Sequence, residues 1–279
     1  MRRWIAILLL IAIAFLGYMF VEARRMPAMR IATLPLAGLA EGQRPIRIAL
    51  LGDSHLSGPD SSPERLDRIV ADVNAQHPDL VVLAGDYIGD RKLFGPVYSR
   101  AQSVAPFAKL RAPLGIVAVL GNHDYWDDAK AVTAALRGIG ATVLANQAVE
   151  RGPLAIGGID DTLTGHAAPQ RTLAAVRRLH GAPLLVSHSP DVFPDLLPGA
   201  PLLLAAHTHC GQIVLPLYGA ISVPSRYGSR YLCGYYREYG NAMIVSGGLG
   251  TSVLPLRLLA RPDWWLITLV PPPGKSGGS

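Results

Sequence analysis

Five short apolar runs punctuate the chain beyond position 45: Ile46 to Leu51, Leu80 to Ala84, Gly115 to Leu120, Leu184 to Ser187 and Leu202 to Ala206. Runs this short and this uniformly apolar predict strands buried on both faces. The stretches between them have helical spacing. One helix is predicted to take Ser62 as its cap and Pro63 as its first residue, with Leu66, Ile69, Val70 and Val73 on one face. A second runs from Asp128 through Val132 and Leu136 to a stop at Gly138. A third covers about Arg171 to His180 and ends at Gly181. Strand alternating with helix predicts an α/β fold.

The first apolar run differs in kind. Trp4 to Val21 is unbroken, with Arg2 and Arg3 before it and Arg24 and Arg25 after it. At 1.5 Å per residue it makes about 27 Å of helix, enough to cross a hydrocarbon core. A cleaved signal is the competing reading, since Val21-Glu22-Ala23 offers small residues to a peptidase. The run is longer than the apolar part of most signals, and Glu22 sits beside the cut. Residues 1–23 are therefore expected to be a retained, single-pass anchor in the inner (cell) membrane. Arg24, Arg25, Arg30 and Arg44 outnumber Arg2 and Arg3, which by the positive-inside rule places the following domain in the cytoplasm. Arg2-Arg3 also resembles a twin-arginine export signal, in a poorly fitting context.

Residues 24–44 read as a linker, with Pro27, Pro35 and Gly38, in which Arg30 to Leu34 is a candidate edge strand. Residues 45–270 are enough for one large domain with a full core. Residues 271–279, rich in Pro, Gly and Ser, are expected to be a disordered tail. The net charge of +6 changes this picture little, because the cations are scattered rather than run together. Scattered cations suit solubility or a membrane surface and argue against nucleic acid as a partner. Cys210 and Cys233 form no framework; one disulfide is open to them.

The chemistry lies in the loops that leave these strands. The first run leads into Gly52-Asp53-Ser54-His55 and the second into Gly85-Asp86. The third leads into Gly121-Asn122-His123-Asp124, the fourth into His188, and the fifth into His207-Thr208-His209. The carboxyl ends of strands are where open α/β sheets build their sites. Any one such Asp is most often a helix cap and any one His a satisfied polar group. Five of the eight histidines of the chain fall in these loops, however, beside matching Asp and Asn residues. A mixed carboxylate, imidazole and amide set suits a divalent Mn, Fe or Zn ion. Asp53 and His55, two apart, would face the same way in extended chain and share one ion; His207 and His209 share one or go to two. No cysteine stands at zinc-finger spacing.

Asp53-x-His55, Gly85-Asp86, Gly121-Asn122-His123-Asp124, His188 and His207-x-His209 resemble, in order, the calcineurin-like metallophosphoesterase superfamily. Ser187 to Asp191, His207 to Gln212 and Val245 to Gly250 are similar to its branch of membrane-associated bacterial phosphodiesterases. That branch includes enzymes that cleave the UDP-diacylglucosamine pyrophosphate of lipid A synthesis. The resemblance covers about Arg44 to Val270 and implies a four-layer α/β/β/α sandwich behind an N-terminal transmembrane helix. It implies two divalent metal ions: Asp53, His55 and His209 on one, Asn122, His188 and His207 on the other, Asp86 bridging. His123 would be the acid near the leaving oxygen, oriented by Asp124, and Asp90 is a displaced candidate for the family's second acid. Ala206, Cys210 and Gly247 depart from the pattern, where Gly, Gly and Arg are common.

Such a site implies hydrolysis of a phosphodiester or pyrophosphate by a hydroxide shared between two ions about 3.5–4 Å apart. A nuclease and a non-catalytic module on the same fold are the rival readings. The retained ligand set and His123 argue against the module, and the missing basic run with interleaved aromatics argues against the nuclease. Gly248 to Thr251 reads as a plain turn before it reads as a phosphate nest. Val223, Arg226, Tyr227, Arg230 and Tyr231, with Leu254, Leu256 to Leu259 and Trp264-Trp265, mix apolar and cationic groups as a membrane interface does. They predict a lipid-linked substrate at the membrane, unless they are ordinary core.

Overall fold

Alternation within the strands sorts the chain into layers. In the computed structural model, which describes residues 1–273 apart from Leu93 and Leu197, the elements follow one another as α1 (Arg2–Arg24), β1 (Ala28–Pro35), β2 (Ile46–Leu51), α2 (Pro63–Ala75), β3 (Leu80–Leu83), α3 (Arg100–Val104), β4 (Ile116–Ala118) and α4 (Asn122–Gly138). Then come β5 (Thr142–Val143), β6 (Gln147–Arg151), β7 (Leu154–Gly158), α5 (Pro169–Val176), β8 (Ala182–Val186), α6 (Phe193–Leu196) and β9 (Leu202–Ala205). The chain ends through β10 (Val214–Leu215), β11 (Gly219–Ala220), β12 (Gly234–Glu238), β13 (Asn241–Val245) and β14 (Asp263–Val270).

Two six-stranded sheets result, in the orders β1-β14-β2-β3-β4-β5 and β12-β13-β9-β8-β7-β6. Side chains alternate between faces along a strand, so Ile46, Ile48 and Leu50 meet Leu184, Val186, Leu202 and Leu204 in a core between the sheets. Ala49, Leu51, Val81 and Leu83 point the other way, onto α2 and α4. Leu185, Leu203 and Ala205 pack under α5 and α6. The layers are helix, sheet, sheet, helix. Helix α2 begins as its sequence predicts, with the Ser62 hydroxyl accepting from the Arg65 N–H and Pro63 in the first turn. Helix α4 starts earlier than Asp128. Extended backbone at Asp128 separates a first turn, Asn122 to Asp127, from the predicted helix.

The segment 24–44 is more than a spacer, because all eight residues of β1 pair in parallel with β14 at the sheet edge. Trp264 and Trp265, which as a pair suggest a membrane interface, sit on β14 and are buried on opposite faces of that sheet. Arg226 and Arg230 pair with Asp195 and Glu238 of the protein itself, and Tyr231 is core. Pro271 to Pro273 carry no regular structure, and 274–279, the rest of the predicted tail, lie outside the described residues.

Helix α1 is long and apolar enough to cross a membrane, with a mean hydropathy of 2.6 over its best window and nearly all of that window exposed. Its last turn is docked. Met19, Glu22 and Ala23 are buried. The Arg257 N–H donates to the Met19 carbonyl at 3.0 Å, and the Arg65 guanidinium donates to the carbonyl of Arg25 at 2.8 Å.

Candidate metal centre

Strands β2, β3 and β4 run parallel in one sheet and β8 and β9 run parallel in the other. The loops leaving them converge at one edge of the sandwich. Asp53 and His55 follow β2, Asp86 follows β3, Asn122 and His123 follow β4, His188 follows β8, and His207 and His209 follow β9. The extended geometry expected to align Asp53 with His55 is not what aligns them. Asp53, His55, Asp86, His207 and His209 all adopt positive φ, from 37° to 77°. Left-handed backbone is costly for residues other than glycine and is concentrated where function over-determines it. Close glycines permit the turns. A Cβ at Gly121 would lie 2.2 Å from Asp86 Oδ1, and one at Gly248 would lie 2.6 Å from the Asp53 Cβ.

Three groups of potential ligands lie together: Asp53, His55 and His209; Asp86, His188 and His207; and, at the rim, His55, Asp90 and His123. Within each, the ligand atoms lie within 4.8 Å of one another. Asp86 Oδ2 lies 3.3 Å from His55 Nε2 and 3.2 Å from His188 Nε2, so one carboxylate oxygen faces the first two groups. Asn122 Oδ1 joins the second group, 3.2 Å from His188 Nε2. The Asp53 carboxylate in turn accepts from the His207 N–H at 2.9 Å.

The donor set fits cations. His188 Nδ1 is 2.7 Å from the Ala84 carbonyl and must donate to it, and His207 Nε2 likewise donates to the Pro224 carbonyl at 2.6 Å. That leaves the lone pair of His207 Nδ1 facing His188 Nε2 at 2.9 Å, beside Asp86 Oδ2 and Asn122 Oδ1. Three acceptors aimed at one point call for positive charge. Burial opposes charge on His188, yet Asp86 and Asp53 outweigh it and lift the imidazole to about 10 while no cation is bound, so a metal ion would enter by displacing the Nε2 proton. Burial pushes Asp53 up to about 7, and its Oδ1 is buried with no hydrogen-bond partner among the described residues. Burial, with His188 adding to it, holds His207 down at about 3, and burial also depresses His55 and His209. These are neutral imidazoles, the form that binds metal.

His123 stands at the edge of this cluster, its ring 4.6 Å from that of His55. Its carboxylate partner is Asp90, with Nδ1 to Oδ1 at 3.0 Å, and Asp90 is fixed by the Val253 N–H at 3.0 Å. Burial disfavours charge on His123, and Asp90 and Asp86 together overcome it and raise its pKa. Asp124, expected to orient His123, instead accepts from the backbone N–H groups of Asp86, Tyr87 and Gly121 at 2.9 Å each. It ties the β3 loop to the start of α4 and so positions Asp86.

Three features lie beyond the sequence motifs. Arg257, which the sequence offers either as a cation at a membrane interface or as part of an ordinary core segment, is fully buried and donates to the carbonyls of Gly247, Gly250, Ala260 and His209. A lone arginine inside a leucine-rich run is the only signal it leaves. Cys210 and Cys233 form a disulfide beside His209, against Gly247, whose added Cβ would lie 2.5 Å from Cys210 Sγ. The N–H groups of Gly247, Leu249 and Gly250 bond to Asp263, Gly52 and Asp53, and that of Gly248 to the Ser246 hydroxyl, so the glycine turn braces the Asp53 loop. A mostly apolar cavity of about 390 Å³ opens beside His209, lined by Ile213, Ile221, Pro224, Val253 and Leu254. A wider depression of about 560 Å³ between β6 and α5 contains none of the ligand residues.

The sequence pattern described as calcineurin-like phosphoesterase matches residues 46–211. The Bacillus subtilis protein named uncharacterized metallophosphoesterase YkuE is 34% identical over 237 residues, covering 80% of this chain and 78% of that one. A Danio rerio transmembrane protein with metallophosphoesterase domain is 29% identical over 281 residues, 94% of this chain and 61% of its own length. Among solved structures, the 5'-nucleotidase precursor from Thermus thermophilus covers 80% of this chain and 55% of that chain at 15% identity, with a TM-score of 0.45.

Proposed function

This chain belongs to the calcineurin-like phosphoesterase family and is a metal-dependent phosphoric ester hydrolase, and we propose that it cleaves a phosphodiester or pyrophosphate carried by a membrane lipid, of the UDP-diacylglucosamine kind. Asp53, His55 and His209 would hold one divalent ion and Asn122, His188 and His207 the other, with Asp86 available to both. The carrying observation is the single Asp86 oxygen within 3.3 Å of a histidine from each of these two sets. Mn, Fe or Zn ions bound there supply a nucleophilic water at neutral pH and screen the phosphoryl oxygens. His123, held by Asp90, hands a proton to the departing oxygen, a role worth about 10²–10⁴ in rate. The apolar cavity beside His209 and the docked α1 support the lipid-linked substrate. The test compares kcat/KM for UDP-diacylglucosamine with that for its deacylated counterpart in detergent micelles. Equal values would remove the lipid and leave a general phosphodiesterase.

The disulfide supports a membrane side opposite to the one the arginine count favours. Disulfides persist in oxidising compartments, so the Cys210–Cys233 bridge beside the candidate ligands suits a domain that faces outward, with Arg2 and Arg3 inside; on that side the substrate would be a lipid-linked phosphodiester or pyrophosphate without the cytosolic uridine nucleotide. Acid-trapped cells treated with a maleimide-polyethylene glycol should show no mass shift on either cysteine until a reductant is added. Two freely reacting thiols would return the domain to the cytoplasm.

A further inference from the structure

Exposed aliphatic side chains cluster on two loops that fold against each other at the end of α1. The β10–β11 hairpin and its exit, residues 213–224, contain no charged side chain, and neither does the stretch 251–256. The loops are tied together by the Leu258 N–H on the Gln212 carbonyl, the Val214 N–H on the Leu258 carbonyl, and the Gln212 amide on the carbonyls of Ser252 and Leu254. From this unit Leu217 projects fully exposed, Val253 is 65% exposed and Leu259 63%. Leu215, Ile221 and Leu254, on the same two loops, are also exposed, and Ile221, Val253 and Leu254 line one cavity.

Folding gives no reason for these residues. Leu217, Val253 and Leu259 take φ of 66°, 59° and 52°, where glycine or asparagine is easier and a β-branched residue is an outlier. Each is thus in strained backbone, in water, and apolar. A contiguous exposed apolar patch marks a surface that meets something. Its level identifies the partner. The Arg257 N–H bonds to the carbonyl of Met19, two residues inside the end of the apolar run of α1 at Val21. At 1.5 Å per residue the contact lies about 3 Å on the membrane side of that end. The loop that carries Val253, Leu254 and Leu259 is therefore held at the depth where α1 leaves the hydrocarbon.

We propose that the 213–224 and 251–259 loops insert into the lipid bilayer beside α1, as a second contact that orients the metal centre toward the membrane surface. The partner is the bilayer itself, and the inference rests on α1 crossing it, not on which phosphoester is cleaved. With one helix the domain would swivel; with helix and loops it has a fixed face. The cavity beside His209, bounded by Ile213, Ile221, Val253 and Leu254, then opens at the interface.

The test uses the full chain in nanodiscs of phosphatidylcholine and phosphatidylglycerol, with and without brominated acyl chains. Tryptophan is introduced singly as Leu217→Trp, Leu259→Trp, Leu10→Trp within α1, and His77→Trp. His77 is an exposed residue just beyond the far end of α2, whose first turn holds the end of α1. Hydrolysis of a soluble chromogenic diester by each variant reports that it is folded. Brominated lipid should quench the added emission of Leu10→Trp, Leu217→Trp and Leu259→Trp, blue-shifted in all three, and leave His77→Trp unchanged. Quenching at Leu10→Trp alone overturns loop insertion while α1 remains a span. Quenching at none of them overturns both. Emission at Leu217→Trp that bromine does not quench but that is shielded from acrylamide assigns the face to a second copy and likewise overturns the proposal.

Discussion

Replacing Gly121 with alanine isolates the position of Asp86 from every other variable. Gly121 caps α4 with φ of −109° and ψ of 179°, extended backbone that alanine adopts freely, so the substitution adds no conformational strain. It adds one methyl group. That methyl would stand 2.2 Å from Asp86 Oδ1 and 2.8 Å from both Asp86 Cγ and the Asp86 N. Ordinary contact begins at 3.4 Å, so the shared carboxylate must retreat by about 1.2 Å. Metal–oxygen bonds to Mn or Zn are roughly 2.0–2.2 Å with little tolerance, and a 1 Å misplacement of a reacting group can cost about 10²-fold in rate. Gly121→Ala should lose at least one ion per chain and about 10² in kcat on a soluble chromogenic diester. Gly138→Ala, at the end of the same helix with nothing within 4 Å of its added Cβ, serves as the control; it should keep full activity and gain about 0.5–1 kcal/mol. Elemental analysis, steady-state kinetics and thermal unfolding read all three quantities. Two ions and wild-type kcat in Gly121→Ala would refute the placement of Asp86 between the ions.

Asp86→Ala should lower occupancy at both sites together, and loss of a single ion would reduce Asp86 to an ordinary ligand. His123→Ala should keep its metal while losing about 10²–10⁴ in turnover, least for the most acidic leaving groups; an equal loss across a leaving-group series would argue against proton donation. Burial opposes ionisation of Asp90, but the hydrogen bonds from His123 and Val253 prevail and hold its carboxyl below the ordinary 3.8. Its folded value is the lower one, so its stabilisation is present above the unfolded value and is lost as pH falls below it. The difference in Tm between wild type and Asp90→Asn should therefore shrink from pH 5 toward pH 3, and a constant difference would break the link. Chelation should lower Tm and abolish turnover, and Mn at about 100 times its Kd should restore roughly 2.7 kcal/mol of stability; an unchanged Tm would mean that the folded state does not bind the ion.

The loops that carry the candidate ligands are readable from sequence because parallel strands deliver their carboxyl ends to one edge, so five apolar runs locate five loops. The roles inside those loops are harder to read. Asp124 directly follows His123 and invites pairing with it, yet the first turn of α4 aims its carboxylate back at the β3 loop, and Asp90 arrives from elsewhere in the chain. Left-handed backbone at Asp53, Asp86 and His207 leaves no mark in residue type, since Asp and His enter it more often than other non-glycine residues, at a cost that composition does not display. Trp264-Trp265 and Arg257 mislead for a common reason. Composition reports what a side chain can face, and only the register of β14 and the closure of the 247–260 loop decide what it does face. The Cys210–Cys233 pairing joins residues 23 apart and depends on the same closure.

Where a recombinant version of this enzyme begins is an enzymological variable, because the last turn of α1 is docked on the loops behind the candidate metal centre. Arg65 spans the junction, giving one guanidinium nitrogen to the carbonyl of Arg25 and another to that of Leu249, whose own N–H holds Gly52 beside Asp53. Arg257 makes its main-chain bond to Met19 and sends its side chain to His209. A chain trimmed after Arg25 for solubility leaves each arginine short of an acceptor, Arg257 while bonded to the His209 carbonyl and Arg65 while bonded to Leu249, whose N–H holds Gly52 next to Asp53. Kinetics gathered on such a version describe a relaxed centre. With α1 in a bilayer, as proposed above, thickness and lateral pressure acting on its tilt would become inputs to turnover.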